Sequence, residues 1–435
     1  MRKAILLYHS HLTVCGVGTW AEMLAGALEG RGWQPTVGLA WGQRFHDPGN
    51  VLAVRPQLRS VRMDARTGTE EGRVQAVERA IRDVRPDVVV LSCLHSPLEA
   101  VRRLRYAGSR IRFVAVNHGN LPEHAACLME HREIVDLAVC VSRLSRQVMS
   151  QGPAAFAPER IRHIPHGVPS PTVTSPPAEG GRLRVGYAGR LDDTKRAGDL
   201  PLFFDALRRR APAVELWIAG DGSAAPEIRR LADTNAPAVR FFGPLARADL
   251  YARFYPHLDL FVHFSPNEGW GLSIAEAMVH RVVPVTSAFL GQTHDALVRD
   301  GDTGLVFPVG DTEQAAQRAA DLWRDPARRA ALGQRAAAEI ATRYSVDAFT
   351  ANWQKALDDC LSLPALPPTG CPVSMHARGR LGLPERYVET VRRVLRRRVP
   401  HASAGEEWPH FVCRDQALLA QVRGTFEAEG RRVVV

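Results

Sequence analysis

Two carboxylates frame a small-residue turn in SPNEGWGLSIAEAM, residues 265–278: Glu268 precedes Gly269-Trp270-Gly271 and Glu276 follows it. An apolar run, LDLFVHF, ends near Phe264 and helical patterning resumes near Leu272, so Glu268 belongs to a loop and Glu276 lies a turn inside a helix. Glycines at 269 and 271 let the backbone N–H groups of the helix start come close to an anion, and a helix N-terminus favours phosphate through its dipole and its unpaired donors. Carboxylates beside a phosphate repel it unless each binds something neutral. Sugar hydroxyls answer that requirement, because one carboxylate accepts from two neighbouring hydroxyls. The competing reading assigns Glu276 to the helix dipole and leaves Glu268 solvated.

A second stretch, GYAGRLDDTKR at residues 186–196, offers the complementary charge. A strand is followed by Gly189 for a tight turn, then Arg190 and Lys195, and fixed cations at a strand end stabilise the negative charge that builds on a leaving diphosphate. The alternative is two surface bases balancing Asp192 and Asp193. Lys195 stands out because the chain has three lysines in all, Lys3, Lys195 and Lys355, and arginine is its default base.

Short β-type runs alternate with helical stretches twice along the chain. KAILLY, QPTVGLAW, PDVVVLS, IRFVAVNHG and DLAVCVS punctuate the first half; LRVGYAG, VELWIAGDG, VRFFGP, LDLFVHFS, VVPVTS and TGLVFP punctuate the second. This alternation predicts two doubly wound parallel sheets covered by helices, an α/β class. VPSPTVTSPPAEGG, residues 168–181, reads as the linker. The expected organisation is a first domain over 1–168, a second over 182–345, a helix over 346–363 returning to the first domain, and an extension over 371–435 without an assigned role. That extension holds the basic helical segment VETVRRVLRRRV. Ligands of such sheets sit at the carboxyl ends of the strands, which singles out the loops near 9–19, 117–120, 189–195, 220–223 and 264–272.

With 435 residues, 45% hydrophobic and 23% charged, the chain is globular and large enough for two cores. The formal charge of +10 comes from arginines scattered among alanines and prolines, a bias of composition and not a nucleic-acid stripe. Seven cysteines lack metal or redox spacing and read as reduced thiols of a cytoplasmic protein. The N-terminal apolar run is too short for a signal peptide, and no apolar stretch reaches the length of a bilayer span. Membrane contact would have to be peripheral, and a lipid acceptor would call for a basic amphipathic face on the first domain.

YAGRLDDTKR, WIAGDGS, RFFGPL and SPNEGWGLSIAEAMVHRVVPV, taken in that order with IPHGV at the domain junction, resemble the glycosyltransferase family 4 type of GT-B nucleotide-sugar transferase. Glu268 and Glu276 match that family's E-x7-E spacing. The resemblance covers about residues 1–361, most strongly in the second half, and implies a GT-B fold of two Rossmann-like domains facing across a cleft. It implies that Arg190 and Lys195 hold the donor diphosphate, that Glu268 faces the donor sugar, and that Glu276 accepts from the ribose. The Gly271 and Leu272 amides would cap phosphate. In the first domain, VCGVGTW corresponds to the family's glycine-rich loop and places Gly16 and Gly18 near the diphosphate, while His118 of VNHG resembles the family's histidine beside the transferred sugar. A satisfied core histidine is the competing account of His118.

The implied activity is that of a hexosyltransferase-like enzyme (EC 2.4), with retention at the anomeric carbon and no metal or other cofactor. Asp300 and Asp302 in RDGDTGLVF are explained by turn chemistry. The partners implied are a nucleoside diphosphate sugar and, from the arginine- and alanine-rich composition and unusual tail, a small-molecule acceptor of a natural-product pathway. Other readings are a peripheral-membrane transferase acting on a lipid or glycan, a sugar-nucleotide epimerase, and a catalytically silent sugar-nucleotide binder. A dehydrogenase is disfavoured: GVGTWA at 16–21 fits G-x-G-x-x-[GA], but TVGLAW runs into Gly42-Gln43-Arg44 where an acid should hold the ribose.

Overall fold

A computed structural model describes residues 1–10, 16–171, 182–367, 370–371 and 382–431. His11 and Cys15 of the first glycine-rich loop, and most of the expected linker, lie outside the described residues. The chain divides into two compact units, one of Met1–Ile164 with Thr350–Glu429 and one containing Pro165–Phe349.

In the first unit, β1 (Arg2–Tyr8), β2 (Trp33–Trp41), β3 (Ser60–Asp64), β4 (Val88–Ser92), β5 (Arg112–Asn117), β6 (Leu137–Cys140) and β7 (Ile161–His163) form a parallel sheet of order β3-β2-β1-β4-β5-β6-β7. In the second, β8 (Leu183–Ala188), β9 (Val214–Ala219), β10 (Val239–Phe241), β11 (Leu260–His263), β12 (Val283–Ser287) and β13 (Leu305–Phe307) form a parallel sheet of order β10-β9-β8-β11-β12-β13. Strands such as VVVLS and VELWIA are buried along their whole length, as strands covered on both faces must be. In each sheet the chain winds outward from its first strand, then returns to that strand's other side. The order reverses between β1 and β4 and between β8 and β11, and the carboxyl ends of those pairs open the crevice where such sheets bind ligands.

Short β3 and β7 are not legible in the alternation, because RSVRMD and ERIRHI carry arginine at every second or third position. The helices Thr312–Arg324 and Pro326–Arg343 are alanine- and arginine-rich, and each is opened by an aspartate that accepts from a backbone amide, Asp311 from Gln314 at 2.8 Å and Asp325 from Arg328 at 2.9 Å.

The C-terminal extension is part of the first unit. Trp408 is fully buried, and Glu407, 3% exposed, accepts from four consecutive amides, those of Gln43, Arg44, Phe45 and His46, at 2.6–3.1 Å. His46 Nδ1 lies 3.1 Å from the same carboxylate. Burial pushes the Glu407 carboxyl up, but the amide and His46 hydrogen bonds outweigh it and hold the group below its ordinary value. Leu94 and His410 form an antiparallel bridge, with His95 N donating to Pro409 O at 2.9 Å and Phe411 N to Cys93 O at 2.8 Å. The extension therefore lies across the carboxyl end of β4.

If the extension is integral, Trp408→Ala costs about 3–5 kcal/mol and Glu407→Gln about 2 kcal/mol in urea unfolding. Because the folded Glu407 titrates below its unfolded value, its contribution is complete above that unfolded value and fades as pH falls through the folded one. Wild-type stability in both variants would mean that the extension is not part of this core.

Candidate functional site

The two strand ends at the second unit's reversal carry the residues that the sequence singles out. After β8, the Gly189 amide donates to Ala219 O at 3.1 Å, and the Tyr187 hydroxyl donates to Arg190 O at 2.8 Å. A Cβ on Gly189 would make ordinary contact with the Tyr187 hydroxyl at 3.5 Å. The steric demand for glycine falls instead on the loop after β9: a Cβ on Gly220 would lie 1.9 Å from Gly189 O, and one on Gly222 would lie 2.4 Å from Leu191 O. AGDG is thus pressed against AGRLDD, backbone on backbone.

Asp192 opens a single tight turn over Asp193–Lys195 and accepts from the Lys195 amide at 3.2 Å. The Arg190 guanidinium, 58% exposed, donates to Asp192 at 2.7 Å and to Thr194 Oγ1 at 3.0 Å. Lys195 leaves the turn in a different direction. Its Nζ meets Glu268 Oε1 at 2.5 Å, joining residues 73 positions apart in the chain.

Glu268 follows β11 on a loop fixed by its own hydrogen bonds: Ser265 Oγ donates to Asn267 O at 2.8 Å, and Ser287 Oγ donates to Ser265 O at 2.6 Å. His263 Nε2 lies 3.0 Å from Glu268 Oε1. Burial raises the Glu268 carboxyl, but the hydrogen bond and charge of His263 and the charge of Lys195 overcome it and bring the group down to about 2. Glu268 is therefore ionised at neutral pH. It can accept hydrogen bonds and cannot serve as a general acid there.

Gly271 then takes a left-handed φ of 90° and starts the helix Leu272–Val279, with Ala275 N donating to Gly271 O at 3.1 Å. Trp270 is buried, its ring 4.9 Å from Tyr344 and 5.9 Å from His166 of the IPHGV motif. Glu276 projects from the second turn into a different environment. Arg247 Nε stands 2.8 Å from its Oε1 as an ion pair without the alignment of a hydrogen bond, and the Tyr255 hydroxyl donates to Oε2 at 3.1 Å. Burial is the main influence on this carboxyl and pushes it up against the pull of Arg247 and Tyr255. Tyr255 follows a π-helical turn at Leu250–Phe254, an irregularity frequent beside functional sites. Arg247 and His263 are the members of this cluster that motif reasoning misses. A lone histidine within the apolar strand FVHF is the signal for the second; Arg247 is one arginine among many and carries none.

The carried-over residues of the first unit sit at its own strand ends. Gly16 opens the helix Gly16–Leu28, with nothing among the described residues within 4 Å of where its Cβ would be, and Gly18 is buried in that helix's first turn. His118 follows β5 and stands edge-on to Trp20, ring centroids 4.6 Å apart. Beside it in the sheet, the ends of β1 and β4 meet the C-terminal extension: His9 and His410 are 5.7 Å apart, and His124 is 6.4 Å from His410 and 5.4 Å from Phe411. Burial and then the His410 charge bring His124 down to about 4, and burial lowers His410 as well. The extension supplies His410 and Phe411 to this group, which no sequence motif indicates.

Residues 14–170 match the family model described as Glycosyltransferase Family 4, and residues 182–325 match that described as Glycosyl transferases group 1. The chain belongs to the family 4 type of glycosyltransferases. Similar curated proteins include a D-inositol 3-phosphate glycosyltransferase of Kineococcus radiotolerans, 28% identical over 53% of this chain and 59% of that protein. The sulfoquinovosyl transferase SQD2 of Arabidopsis thaliana is 32% identical over 38% of this chain and 31% of that protein. The chain thus spans 59% of the length of the first of these relatives. Among solved structures, a sucrose-phosphate synthase from Thermosynechococcus elongatus is similar with a TM-score of 0.67 and 16% identity, covering 83% of this chain and 100% of that one. HepE of Anabaena in complex with UDP and glucose gives 0.66 and 19% with the same coverage. The two doubly wound sheets of this family 4 chain are those of the GT-B fold.

Because Glu268 titrates below its unfolded value, it stabilises the fold above about pH 4.3 and loses that effect as pH falls toward about 2. Glu268→Gln therefore destabilises the protein at pH 7 by about 2 kcal/mol, through the uncompensated Lys195 charge, and the gap to wild type narrows in urea unfolding as the pH is lowered below 4.3. A gap that is flat or grows on acidification would contradict the ionised pairing.

Proposed function

We propose that the chain transfers a glycosyl group from a nucleoside diphosphate sugar to an acceptor, with retention of anomeric configuration and without a metal. The observation that carries this reading is the Lys195–Glu268–His263 cluster at the β8/β11 reversal, next to the Gly271 helix start. An ionised Glu268 accepts from hydroxyls of the sugar. Lys195 and Arg190 take the diphosphate and stabilise the charge that grows as it leaves. The bond from the anomeric carbon to the diphosphate oxygen breaks while a bond to the acceptor oxygen forms on the same face, and the departing phosphate oxygen takes the acceptor proton. Two fixed cations do for the diphosphate what magnesium does in metal-using transferases. Asp300 and Asp302 are engaged elsewhere: Asp300 by Arg318 and the Val306 amide, Asp302 by Arg299 and Arg335. The UDP complex of HepE supports a nucleoside diphosphate donor.

The acceptor is proposed to be a small polar molecule, received at the first unit's strand ends, where His9 and His124 flank His410 and His118 follows β5. The inositol phosphate named for one relative is of that kind. His124, held near 4, is neutral at physiological pH and offers a hydrogen-bonding edge without charge.

Lys195→Ala and Glu268→Ala are each expected to lower kcat/KM by about 10²–10³ with the circular dichroism spectrum unchanged. The product should keep the donor's anomeric configuration by NMR, and turnover should be insensitive to EDTA. An inverted product, or undiminished turnover in either variant, would overturn the reading.

A further inference from the structure

The segment VETVRRVLRRRV forms the helix Glu385–Val394 and the turn beyond it. A surface helix of a globular protein normally turns its apolar stripe to the core. This one does the reverse. Its anchored side is polar: Glu389, 2% exposed, accepts from Thr69 Oγ1 at 2.5 Å and pairs with Arg392 at 3.4 Å, while Gln75 Nε2 donates to Arg386 O at 3.1 Å. Apart from the half-buried Val388, its apolar residues face outward, Tyr387 at 64% exposed, Val391 at 56% and Val394 at 74%, with Leu395 at 63% just beyond its end. They stand at i, i+4, i+7 and i+8, one above another on a single side. Leu383, 55% exposed, continues the stripe ahead of the helix.

Beside the stripe, the helix and the end of β3 line a half-open pocket of about 370 Å³ bordered by Arg66, Arg79, Arg393, Arg396, Arg397 and Arg398. The lining acids are Asp64 and Glu389, and both are engaged: Asp64 by Arg66 at 2.8 and 2.9 Å, Glu389 by Thr69 and Arg392. Six guanidinium groups thus converge with two carboxylates among them. Arg79 registers the crowding, since burial and then the charge of Arg393 both lower its affinity for a proton. Six of the chain's 53 arginines meet here.

The two features together select the occupant. A second copy of the chain meeting this face across a two-fold axis would set the same arginines against one another. A nucleic acid would use the arginines and leave the apolar stripe in water. An anionic bilayer surface uses both: apolar side chains enter the boundary between headgroups and acyl chains, and guanidinium groups engage lipid phosphates in bidentate fashion. Among the described residues no helix is long and apolar enough to cross a membrane, so the contact is a surface one. We propose that the Glu385–Val394 helix, with the arginine-lined pocket beside it, docks this chain on anionic membranes. The inference stands apart from the glycosyl-transfer reading, because its test requires no turnover.

The test is co-sedimentation of the full chain with vesicles of phosphatidylcholine alone, and of phosphatidylcholine with about a third phosphatidylglycerol. Binding is expected to the anionic vesicles and to fall at least about tenfold in molar salt. It should fall at least about tenfold in V391D/V394D and in R396Q/R397Q/R398Q, with the melting temperature held in both because the replaced side chains are exposed. Wild-type protein left in the supernatant with anionic vesicles, or equal sedimentation of either variant, would overturn the proposal. So would a vesicle-free dimer that V391D/V394D dissolves, or RNA binding without vesicle binding.

Discussion

The candidate donor site rests on one contact, the ion pair between Lys195 and Glu268, with His263 closing on the same carboxylate oxygen. A carboxylate taken out of water drifts toward its neutral form unless cations hold it charged. Here they hold it strongly enough to bring the group to about 2. The rest of the second unit arranges for those side chains to meet. The strand order reverses between β8 and β11 so that their carboxyl ends adjoin, Gly220 and Gly222 let the β9 loop press on the β8 loop, and Gly271 turns the chain into a helix directly after Glu268.

The two glutamates that look equivalent in the sequence have different surroundings. Glu268 is kept ionised by a lysine and a histidine, whereas Glu276 is buried against Arg247 and Tyr255, with its carboxyl pushed up. Regular helical spacing and a shared loop do not fix electrostatic environment; what packs against each side chain does. A donor nucleotide meeting Glu276 would have to share it with Arg247, which makes that arginine part of the same recognition problem.

The alternation of apolar runs is enough to place most strands and the helix that begins at Leu272, because buried parallel strands are continuous apolar runs and the helices between them are punctuated by glycine and proline. β3 and β7 escaped because short strands rich in arginine lack that signature. Lys195 and Glu268 were each legible as members of a motif, one for the diphosphate and one for the sugar, but their contact depends on strand order, which sequence spacing does not encode. The C-terminal extension was opaque for a further reason. Its hold on the first unit comes from Glu407 on four amides, Trp408 in the core and the buried Leu418, Val422 and Phe426 of the helix Gln416–Arg431, whereas the apolar positions of the helix Glu385–Val394 would have predicted the wrong buried face.

The proposed transfer requires Lys195 and Glu268 to act on the donor as one coupled unit. A double-mutant cycle tests it directly, using calorimetric binding of the nucleotide sugar that raises the melting temperature most in a panel of UDP-, GDP- and ADP-sugars. Lys195→Ala and Glu268→Ala are each expected to weaken binding, and the double variant to lose clearly less than the two losses combined. Additive losses, unchanged binding in either single variant, or a panel in which no sugar nucleotide binds would contradict the proposed coupling.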